Sequence, residues 1–358
     1  MDAPSIGPLE KKYVLRALRE GFVSTYGPYV GFFEKEFAAF VQEGYPVAVQ
    51  SGTAALHLAL HQLGVGAQDE VIVPALTFIA SANPIVYVGA KPVFVDVDPL
   101  SWNISIEDIE KKITPKTKAI IAVHLYGNCC DISRLVKVAR KHKLFLVEDA
   151  TESLGSRFAG RHTGSFGDYG CFSFNGNKTV TTGGGGLVLC RSVPAAEHLR
   201  LVVNQARPGV EYTHTEVGFN YRMTNLEASL GLAQLERLNG FVRKKSLFRE
   251  IYTQGTIGLP VCLQKEYAQA ESCFWLNAMT FENAKIREKA QEVLKSAGVP
   301  FRRIFAPISE SLPYGWADKK SLLNTYDIYD RGLCLPSSVV NTEKSIHDVC
   351  KAIQKVFA

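Results

Sequence analysis

Short apolar runs and helical segments alternate along residues 45–190. Each run of mostly β-branched or apolar residues is followed by a loop rich in Gly, Pro, Ser or Asp and then by a segment of helical periodicity. Because the runs are nearly continuous in apolar residues, they predict strands covered on both faces, as in a mostly parallel sheet. The predicted strands are 46–50, 70–74, 92–96, 119–124, 144–148, 172–174 and 187–190, and the predicted helices are 54–63, 106–113 and 133–142. We therefore expect an α/β fold.

Beyond about residue 240 the hydrophobic pattern changes. Residues 274–281 alternate in polarity and predict a strand, whereas residues 284–296 predict a helix that Gly298 ends. Residues 343–357 predict a final helix, and Thr342 is its expected N-cap.

This change of pattern divides the chain into two expected domains. The large domain covers residues 1–240 and ends with the helix predicted at 222–238, and a smaller α+β domain covers residues 241–358. A chain of 358 residues with 46% hydrophobic and 21% charged residues is large enough to bury two cores.

Charge and cysteine content narrow the class of protein. Forty Lys and Arg stand against 35 Asp and Glu, and the net charge of +5 includes no long basic block, so we expect no nucleic-acid partner. The eight cysteines are never spaced C-x-x-C, which disfavours a zinc site and a disulfide framework. The N-terminus lacks the apolar run of a secretory signal. We expect free thiols, no metal and a cytoplasmic location.

One uncharged stretch, residues 71–90, raises the question of a membrane span. Its length of about 20 residues is that of a spanning helix. However, Pro74, Asn83 and Pro84 interrupt it. We expect a buried strand, a turn and a buried helix here, and no association with a membrane.

Polar residues at the carboxyl ends of the predicted strands are the first candidates for chemistry, because ligands of open α/β sheets bind there. Residues 51–53, Ser-Gly-Thr, end one strand and begin a helix whose first amides can hold a phosphate; helix capping alone is the alternative. Glu148 and Asp149 end another apolar strand, where a carboxylate is costly to bury unless it is hydrogen-bonded or paired with a cation. Asp149 can keep the ring nitrogen of a cofactor protonated, and a salt bridge or a cap is the alternative.

Lys178 is the single charged residue of the stretch 169–190. An amine among small, uncharged polar groups is easily deprotonated and can act as a nucleophile or form a Schiff base. Four consecutive glycines follow at 183–186, and their conformational freedom makes us expect positive φ angles or close approach to a ligand. A flexible surface loop is the alternative.

Several short motifs accompany these features along almost the whole chain. In order they are 21–28 (GFVSTYGP), 51–53 (SGT), 123–127 (VHLYG), 148–150 (EDA), 164–168 (GSFGD), Ser173 with Lys178 after it, and 218–224 (GFNYRMT). Together they resemble the DegT/DnrJ/EryC1/StrS family of sugar aminotransferases, which use pyridoxal 5'-phosphate (PLP). The resemblance implies the aspartate-aminotransferase-like fold, fold type I: a large domain with a mostly parallel sheet and a small C-terminal α+β domain.

The resemblance implies roles for individual residues. Lys178 would form a Schiff base with the cofactor and later move the proton, and Asp149 would pair with the ring nitrogen. Four further residues match positions that hold the cofactor's phosphate or ring: Thr53, Ala54, Ser173 and Phe78. Asn220 and Arg222 match a segment that in this family reaches the neighbouring subunit's site, which implies a homodimer with shared active sites.

One position departs from the commonest family pattern. Where many members have Gln, Glu152 would lie beside the cofactor's phenolic oxygen, and the two negative groups would repel unless one were protonated. We hypothesise that Glu152 is held protonated and donates to that oxygen or to the substrate. Residues 150–155 (ATESLG), 175–178 (NGNK) and 181–186 (TTGGGG) resemble the bacillosamine and legionaminic-acid pathway subgroup, which aminates C4 of a nucleotide-linked 4-keto-6-deoxy-N-acetylhexosamine.

The resemblance thus implies a PLP/PMP-dependent enzyme that transfers an amino group from a donor such as L-glutamate to a nucleotide-linked keto-sugar, for bacterial surface-glycan or nonulosonic-acid synthesis. Thr25, Gly27 and residues 302–307 are candidate substrate contacts. His124 is another, with a structural hydrogen bond as an equal alternative.

Three other functions stay open. One is a sugar 3-aminotransferase. A second is a sugar dehydratase, in which His stands where this chain has Lys178. The third is a non-catalytic sugar-nucleotide-binding regulator, which would have lost Lys178 or Asp149, and both are present.

Overall fold

A computed structural model describes residues 3–358 of the chain. The helices are α1 (Pro8–Arg19), α2 (Tyr29–Val41), α3 (Gly52–Gln62), α4 (Asn83–Tyr87), α5 (Ile106–Lys112), α6 (Ile132–His142), α7 (Val193–Val202), α8 (Asn225–Gly255), α9 (Ala284–Ser296), α10 (Leu323–Arg331) and α11 (Glu343–Gln354). The strands are β1 (Tyr45–Val49), β2 (Glu70–Pro74), β3 (Lys91–Val95), β4 (Thr117–Val123), β5 (Phe145–Asp149), β6 (Arg157–Phe158), β7 (Arg161–His162), β8 (Tyr169–Ser173), β9 (Gly186–Cys190), β10 (Val261–Leu263), β11 (Ala270–Glu271), β12 (Asn277–Phe281), β13 (Arg302–Arg303) and β14 (Gly332–Leu335).

The central element is a seven-stranded sheet with the order β1-β9-β8-β5-β4-β2-β3. Strand β9 is antiparallel to both its neighbours, and the other strands run parallel to one another. Successive residues of β4 enter different cores: Ile121 packs with residues of α3, and Ile120 packs with residues of α5 and α6. Helices therefore cover both faces of the sheet, which explains the continuous apolar runs and confirms the predicted α/β class.

All the strands predicted for this sheet are present; β2 has its predicted bounds, and the ends of the others are shifted. The largest shift concerns the strand predicted at 172–174, which begins at Tyr169 because residues 169–171 pair with the end of β5. Residues 71–90 form β2, a 3-10 turn at Ile79–Ser81, and α4. Helix α4 exposes Val86 and Tyr87, so it is half buried rather than fully buried as expected. Within residues 3–358 no helix combines the length and the apolar character needed to cross a membrane.

The C-terminal part forms a second, antiparallel sheet with the order β10-β12-β14-β13. The prediction of a strand over 274–281 is wrong at its start, because Phe274 has a φ of +47° and the strand begins at Asn277. Helix α9 has its predicted bounds, and Gly298 beyond it has a φ of +67°. The Thr342 hydroxyl caps α11 by accepting the Ser345 amide.

Helix α8 links the two parts of the fold over 31 residues. Near its start, Ala228 and Leu232 belong to the core that α2 forms against the central sheet. Towards its end, Phe248 and Tyr252 belong to the core of the second sheet. The domain boundary expected between residues 240 and 241 therefore falls inside a continuous helix.

A short third sheet, ordered β11-β6-β7, brings the C-terminal half back to the central sheet. Ala270 pairs with Phe158, and Glu271 pairs with Arg157. This pairing returns the chain to the large part of the fold shortly before Trp275, which enters the cavity described next.

Candidate active site

The carboxyl ends of the parallel strands open into a cavity of about 350 Å³. Its walls come from the start of α3, the ends of β5 and β8, the loop between β8 and β9, and the C-terminal half of the chain. This is where an open α/β sheet collects its ligands. The lining residues used below are Ser51, Gly52, Thr53, Phe78, Ser81, Asp149, Glu152, Ser173, Lys178, Trp275, Arg302, Arg303 and Phe305.

The N-terminus of α3 forms one wall. Ser51 has extended backbone and its Oγ accepts the Ala54 amide at 3.1 Å, so Ser51 is the N-cap. The amides of Gly52 and Thr53 lie in the first turn, where a helix offers no carbonyl partner, and both residues line the cavity. Ala54, expected in the same role, instead uses its amide in the cap. The turn is a capped helix start with two amides and the Thr53 hydroxyl left to bind an anion.

Two glycines let this turn approach the sheet closely. A Cβ at Gly52 would lie 2.7 Å from the Ser173 Cβ, at the end of β8. A Cβ at Gly186 would lie 2.4 Å from the carbonyl carbon of Ser51. Earlier in the same run, Gly183 and Gly185 have φ angles of +86° and +87°. Of the two features expected of the glycine run, positive φ is present, whereas the close approach at Gly186 is to the Ser51 backbone and not to a ligand.

Asp149 lies at the carboxyl end of β5, and hydrogen bonds fix both of its oxygens. Ser81 Oγ donates to Oδ2 at 2.7 Å, and the Thr151 amide donates to Oδ1 at 3.2 Å. Thr77 Oγ1 lies 2.8 Å from Ser81 Oγ. Because the Ser81 hydrogen goes to the carboxylate, Thr77 donates to Ser81, and the two hydroxyls form a chain that ends on Asp149. Sequence reasoning missed both hydroxyls, although Thr77 directly precedes Phe78 and Ser81 follows it by three residues.

Glu148 faces away from the cavity and is structural. It is fully buried and accepts the amides of Gly164, Phe166 and Gly167 at 2.6–2.8 Å. Burial alone would raise its pKa, but its contact with His124 and these amides hold the pKa below the ordinary value. The motif at 164–168 therefore serves to bind this carboxylate.

His124 also lies behind the cavity, which corrects its assignment as a substrate contact. Its side chain is fully buried, and its Nδ1 accepts the Cys130 amide at 3.1 Å. The ring proton is thus on Nε2, which donates to Glu148 Oε2 at 3.0 Å. Both ring nitrogens are in use, so the structure favours the structural hydrogen bond.

Lys178 lies in the loop between β8 and β9 and extends into the cavity. Its Nζ is 3.5 Å from Glu152 Oε1 and 4.0 Å from the centre of the Trp275 ring. The Trp275 indole N–H donates to the Asn177 carbonyl at 2.8 Å. Trp275 was not expected from the sequence because it is distant along the chain and lies in a segment interpreted as a strand.

Glu152 is 5% exposed, and burial raises its pKa to about 7. The Lys178 ammonium and the Tyr126 amide, which donates to Oε2 at 2.8 Å, oppose this rise, and Asp149 adds to it. A carboxyl with this pKa holds a proton in a large fraction of molecules near neutral pH. This direction agrees with the hypothesis of a protonated Glu152; donation to the cofactor or the substrate stays a prediction.

The mouth of the cavity carries an aromatic ring and two guanidinium groups. Phe78 is 54% exposed, and its ring centre lies 5.6 Å from that of Phe305, so apolar ring surface is available for stacking. Arg302 and Arg303 of the 302–307 segment also line the cavity. Arg303 is held by the Tyr329 carbonyl, to which Nη2 donates at 2.7 Å.

Four further predicted site residues lie around a second cavity of about 360 Å³. Gly27 and Arg222 line it, and the Arg222 guanidinium donates to the Thr25 carbonyl at 2.8 Å. Asn220 forms a backbone bridge with Asn204, which also lines this cavity. Within one chain these residues are apart from Lys178, so any role at a PLP site stays a prediction about a neighbouring subunit.

The residues of the first cavity fit PLP. Asp149 offers a fixed carboxylate for a ring nitrogen, Lys178 offers an amine for an aldehyde, and Phe78 offers an open aromatic face. The start of α3 and the Ser173 hydroxyl offer donors for a phosphate. Among residues 3–358 there is no group of three or more His, Cys, Asp or Glu side chains that could hold a metal ion.

Comparison with known proteins agrees with this fit. Residues 4–354 match the DegT/DnrJ/EryC1/StrS aminotransferase family. A GDP-perosamine synthase of Escherichia coli O157:H7 is 38% identical over 99% of this chain and 97% of its own length. A UDP-N-acetyl-3-dehydro-alpha-D-glucosamine 3-aminotransferase of Acidithiobacillus ferrooxidans is 39% identical over 64% of this chain and 62% of its own length.

A solved structure shows the same fold with the cofactor. The PLP form of sugar aminotransferase Spr1654 from Streptococcus pneumoniae superposes with a TM-score of 0.95 at 27% identity, covering 99% of this chain and 97% of that one. The two proteins are therefore alike in architecture over nearly their whole length as well as in sequence. The chain therefore belongs to the DegT/DnrJ/EryC1/StrS aminotransferase family, and it is a PLP-dependent sugar aminotransferase of fold type I.

Proposed function

We propose that this enzyme transfers an amino group from L-glutamate to C4 of a nucleotide-linked 4-keto-6-deoxy sugar, with an N-acetylhexosamine as the favoured sugar. The observation that carries the proposal is the joint presence of Lys178 and Asp149 in one cavity at the carboxyl ends of the strands. A dehydratase of this fold would have His in place of Lys178. The likeness to a GDP-perosamine synthase over nearly the whole chain supports a nucleotide-linked sugar as acceptor.

The protein's own groups have separate tasks. When bound, PLP supplies an electron sink for the carbon next to the transferred nitrogen. Asp149, fixed by Ser81, keeps the ring nitrogen protonated, and the Lys178 amine holds and moves the proton at that carbon. The amides of Gly52 and Thr53 with the Ser173 hydroxyl anchor the phosphate.

The two guanidinium groups at the mouth support a diphosphate-linked substrate. Arg302 and Arg303 are the cationic lining residues that project from β13. Guanidinium groups bind phosphate oxygens through several N–H donors at once. We propose that they contact the diphosphate of the sugar nucleotide or the carboxylate of the amino donor.

We propose a homodimer with shared active sites, because Asn220 and Arg222 lie away from Lys178 within one chain. Mixing inactive Lys178→Ala and inactive Arg222→Ala subunits should restore activity, since a mixed dimer contains one site with both residues intact. No recovery on mixing, with exchange of subunits verified, would contradict shared sites.

We also propose a cytoplasmic location, as no cysteine of residues 3–358 is in a disulfide.

A substrate panel tests the proposal. Purified enzyme with PLP and L-glutamate is offered UDP- and GDP-linked 4-keto-6-deoxy sugars, with and without a 2-N-acetyl group, and 2-oxoglutarate and the amino sugar are measured. We expect turnover with a 4-keto sugar and none with the Lys178→Ala variant. Turnover with 3-keto sugars alone would overturn the proposed position of amination.

A 3-aminotransferase is the second candidate. The specific observation in its favour is the 39% identity to the Acidithiobacillus ferrooxidans 3-aminotransferase, although that likeness covers only 64% of this chain. The same panel, extended to a UDP-N-acetyl 3-keto sugar, decides between the two.

A further inference from the structure

The amine of Lys178 lies between a carboxylate and an aromatic face. Glu152 Oε1 is 3.5 Å from Nζ on one side, and the centre of the Trp275 ring is 4.0 Å from Nζ on the other. Both groups attract a cation: the carboxylate by its charge when ionised, and the indole by the negative face of its π-system. The Lys178 side chain is 13% exposed, so little water competes for its ammonium.

Other contacts hold both groups in place. Trp275 is 2% exposed, its N–H donates to the Asn177 carbonyl, and its own carbonyl accepts from Lys245 at 2.9 Å. Glu152 accepts the Tyr126 amide through its other oxygen, Oε2. The site that receives the amine is therefore built by neighbours and does not depend on Lys178 itself.

We propose that Glu152 and Trp275 form a holding site for the free amine of Lys178, and that they act as positioning residues in amino transfer. The inference rests on the proposed role of Lys178 as the group that moves the proton. A lysine that is not bonded to the cofactor has a long side chain with many rotamers. Ordering that side chain for proton transfer costs conformational entropy, and this cost adds to the barrier. The holding site keeps the ammonium, with its proton, inside the cavity during the part of the cycle in which Lys178 is free.

Trp275 makes two contacts, and two substitutions separate them. Trp275→Phe keeps an aromatic face and removes the N–H that reaches Asn177, whereas Trp275→Leu removes both. Trp316→Leu is the matched control, because Trp316 packs on Phe94 beside a different cavity.

The first measurement is tryptophan fluorescence of the full chain after removal of the cofactor. Each protein is compared with its own Lys178→Met counterpart, so the difference spectrum reports an ammonium next to an indole. We expect a clear difference in the wild type and in Trp316→Leu, and its loss in Trp275→Leu. A difference that persists in Trp275→Leu would overturn the proposal.

The second measurement is steady-state turnover with PLP and the amino donor. We expect kcat to fall about tenfold in Trp275→Leu, which corresponds to ~1.4 kcal/mol, with little change in the KM of the donor. Trp275→Phe should restore most of kcat. Equal losses in the Phe and Leu variants would assign the effect to the Asn177 hydrogen bond and overturn the role of the ring face.

The two measurements separate this inference from the proposed function. The fluorescence comparison needs no substrate, so it decides whether the holding site exists even if no sugar in the panel is aminated. Absence of turnover in the wild type would count against the proposed function alone.

Discussion

Replacing Glu152 with glutamine should change how the free energy of unfolding of the cofactor-free protein depends on pH. Burial raises the pKa of the Glu152 carboxyl from 4.5 to about 7 in the folded protein. Three groups face it: the Lys178 ammonium and the Tyr126 amide favour the ionised carboxylate, and Asp149 disfavours it. The net rise means that burial outweighs the attraction to Lys178.

The sign and size follow from proton linkage. A carboxyl whose pKa is raised by folding contributes stability that is complete below the unfolded pKa and is lost as the pH rises through the folded pKa. Between pH 4.5 and 7 the folded state binds more protons, so the free energy of unfolding falls by about 1.4 kcal/mol per pH unit, about 3 kcal/mol in total. Glutamine does not titrate, so the difference between wild type and variant should follow this curve.

Urea unfolding followed by circular dichroism between about pH 5 and 8.5 measures this difference. Glu292→Gln, at an exposed position of α9, is the control for loss of one negative charge. We expect the stability of the wild type relative to Glu152→Gln to decline with pH and to level off above pH 7. A constant difference would refute the reasoning, and a difference that rises with pH would show that Lys178 holds Glu152 ionised.

Three more predictions concern the rest of the site. Glu148→Gln leaves buried amides without a carboxylate and should lower the free energy of unfolding by about 3 kcal/mol in urea titrations; a loss below ~1 kcal/mol would contradict its structural role. Gly186→Ala places a Cβ 2.4 Å from the Ser51 backbone and should weaken PLP binding by tenfold or more (~1.4 kcal/mol) in absorbance titrations. Gly240→Ala on α8, where a Cβ meets nothing within 4 Å, should leave PLP binding unchanged. Lys178→Ala should abolish both turnover and the borohydride-trappable absorbance of bound PLP; retention of either would remove Lys178 from the chemistry.

The sequence predicted the strands of the central sheet and the two residues on which the proposed chemistry depends, Asp149 and Lys178. A strand covered on both faces must be apolar along its whole length, so β2 and β5 are visible as runs without knowledge of their neighbours. The same rule makes a charged residue at the end of a run conspicuous, which is why Asp149 stands out. Lys178 stands out because its neighbours in sequence are uncharged.

The sequence was less informative where a residue's role depends on which groups its side chain faces in the folded protein. Glu148 and Asp149 are adjacent and chemically alike, yet one faces His124 behind the sheet and the other faces the cavity. The alternation of side chains along a strand separates them, but only the packed structure shows which face holds the cavity. The sequence predicted a domain boundary at 240/241, but not that α8 would stay helical across it while its partners change from one core to the other.

The surroundings of Lys178 depend on contacts between segments that are far apart in sequence. Trp275 reaches it through the pairing of β11 with β6, a long-range contact that leaves no periodic pattern in either segment. Ser81 supports Asp149 across 68 positions of sequence through one hydrogen bond. Each residue's hydrophobicity contributes to whether its segment is buried, so the sequence alone indicates which segments are inside. A polar site depends on single contacts between distant segments, and those contacts exist only once the fold brings the segments together.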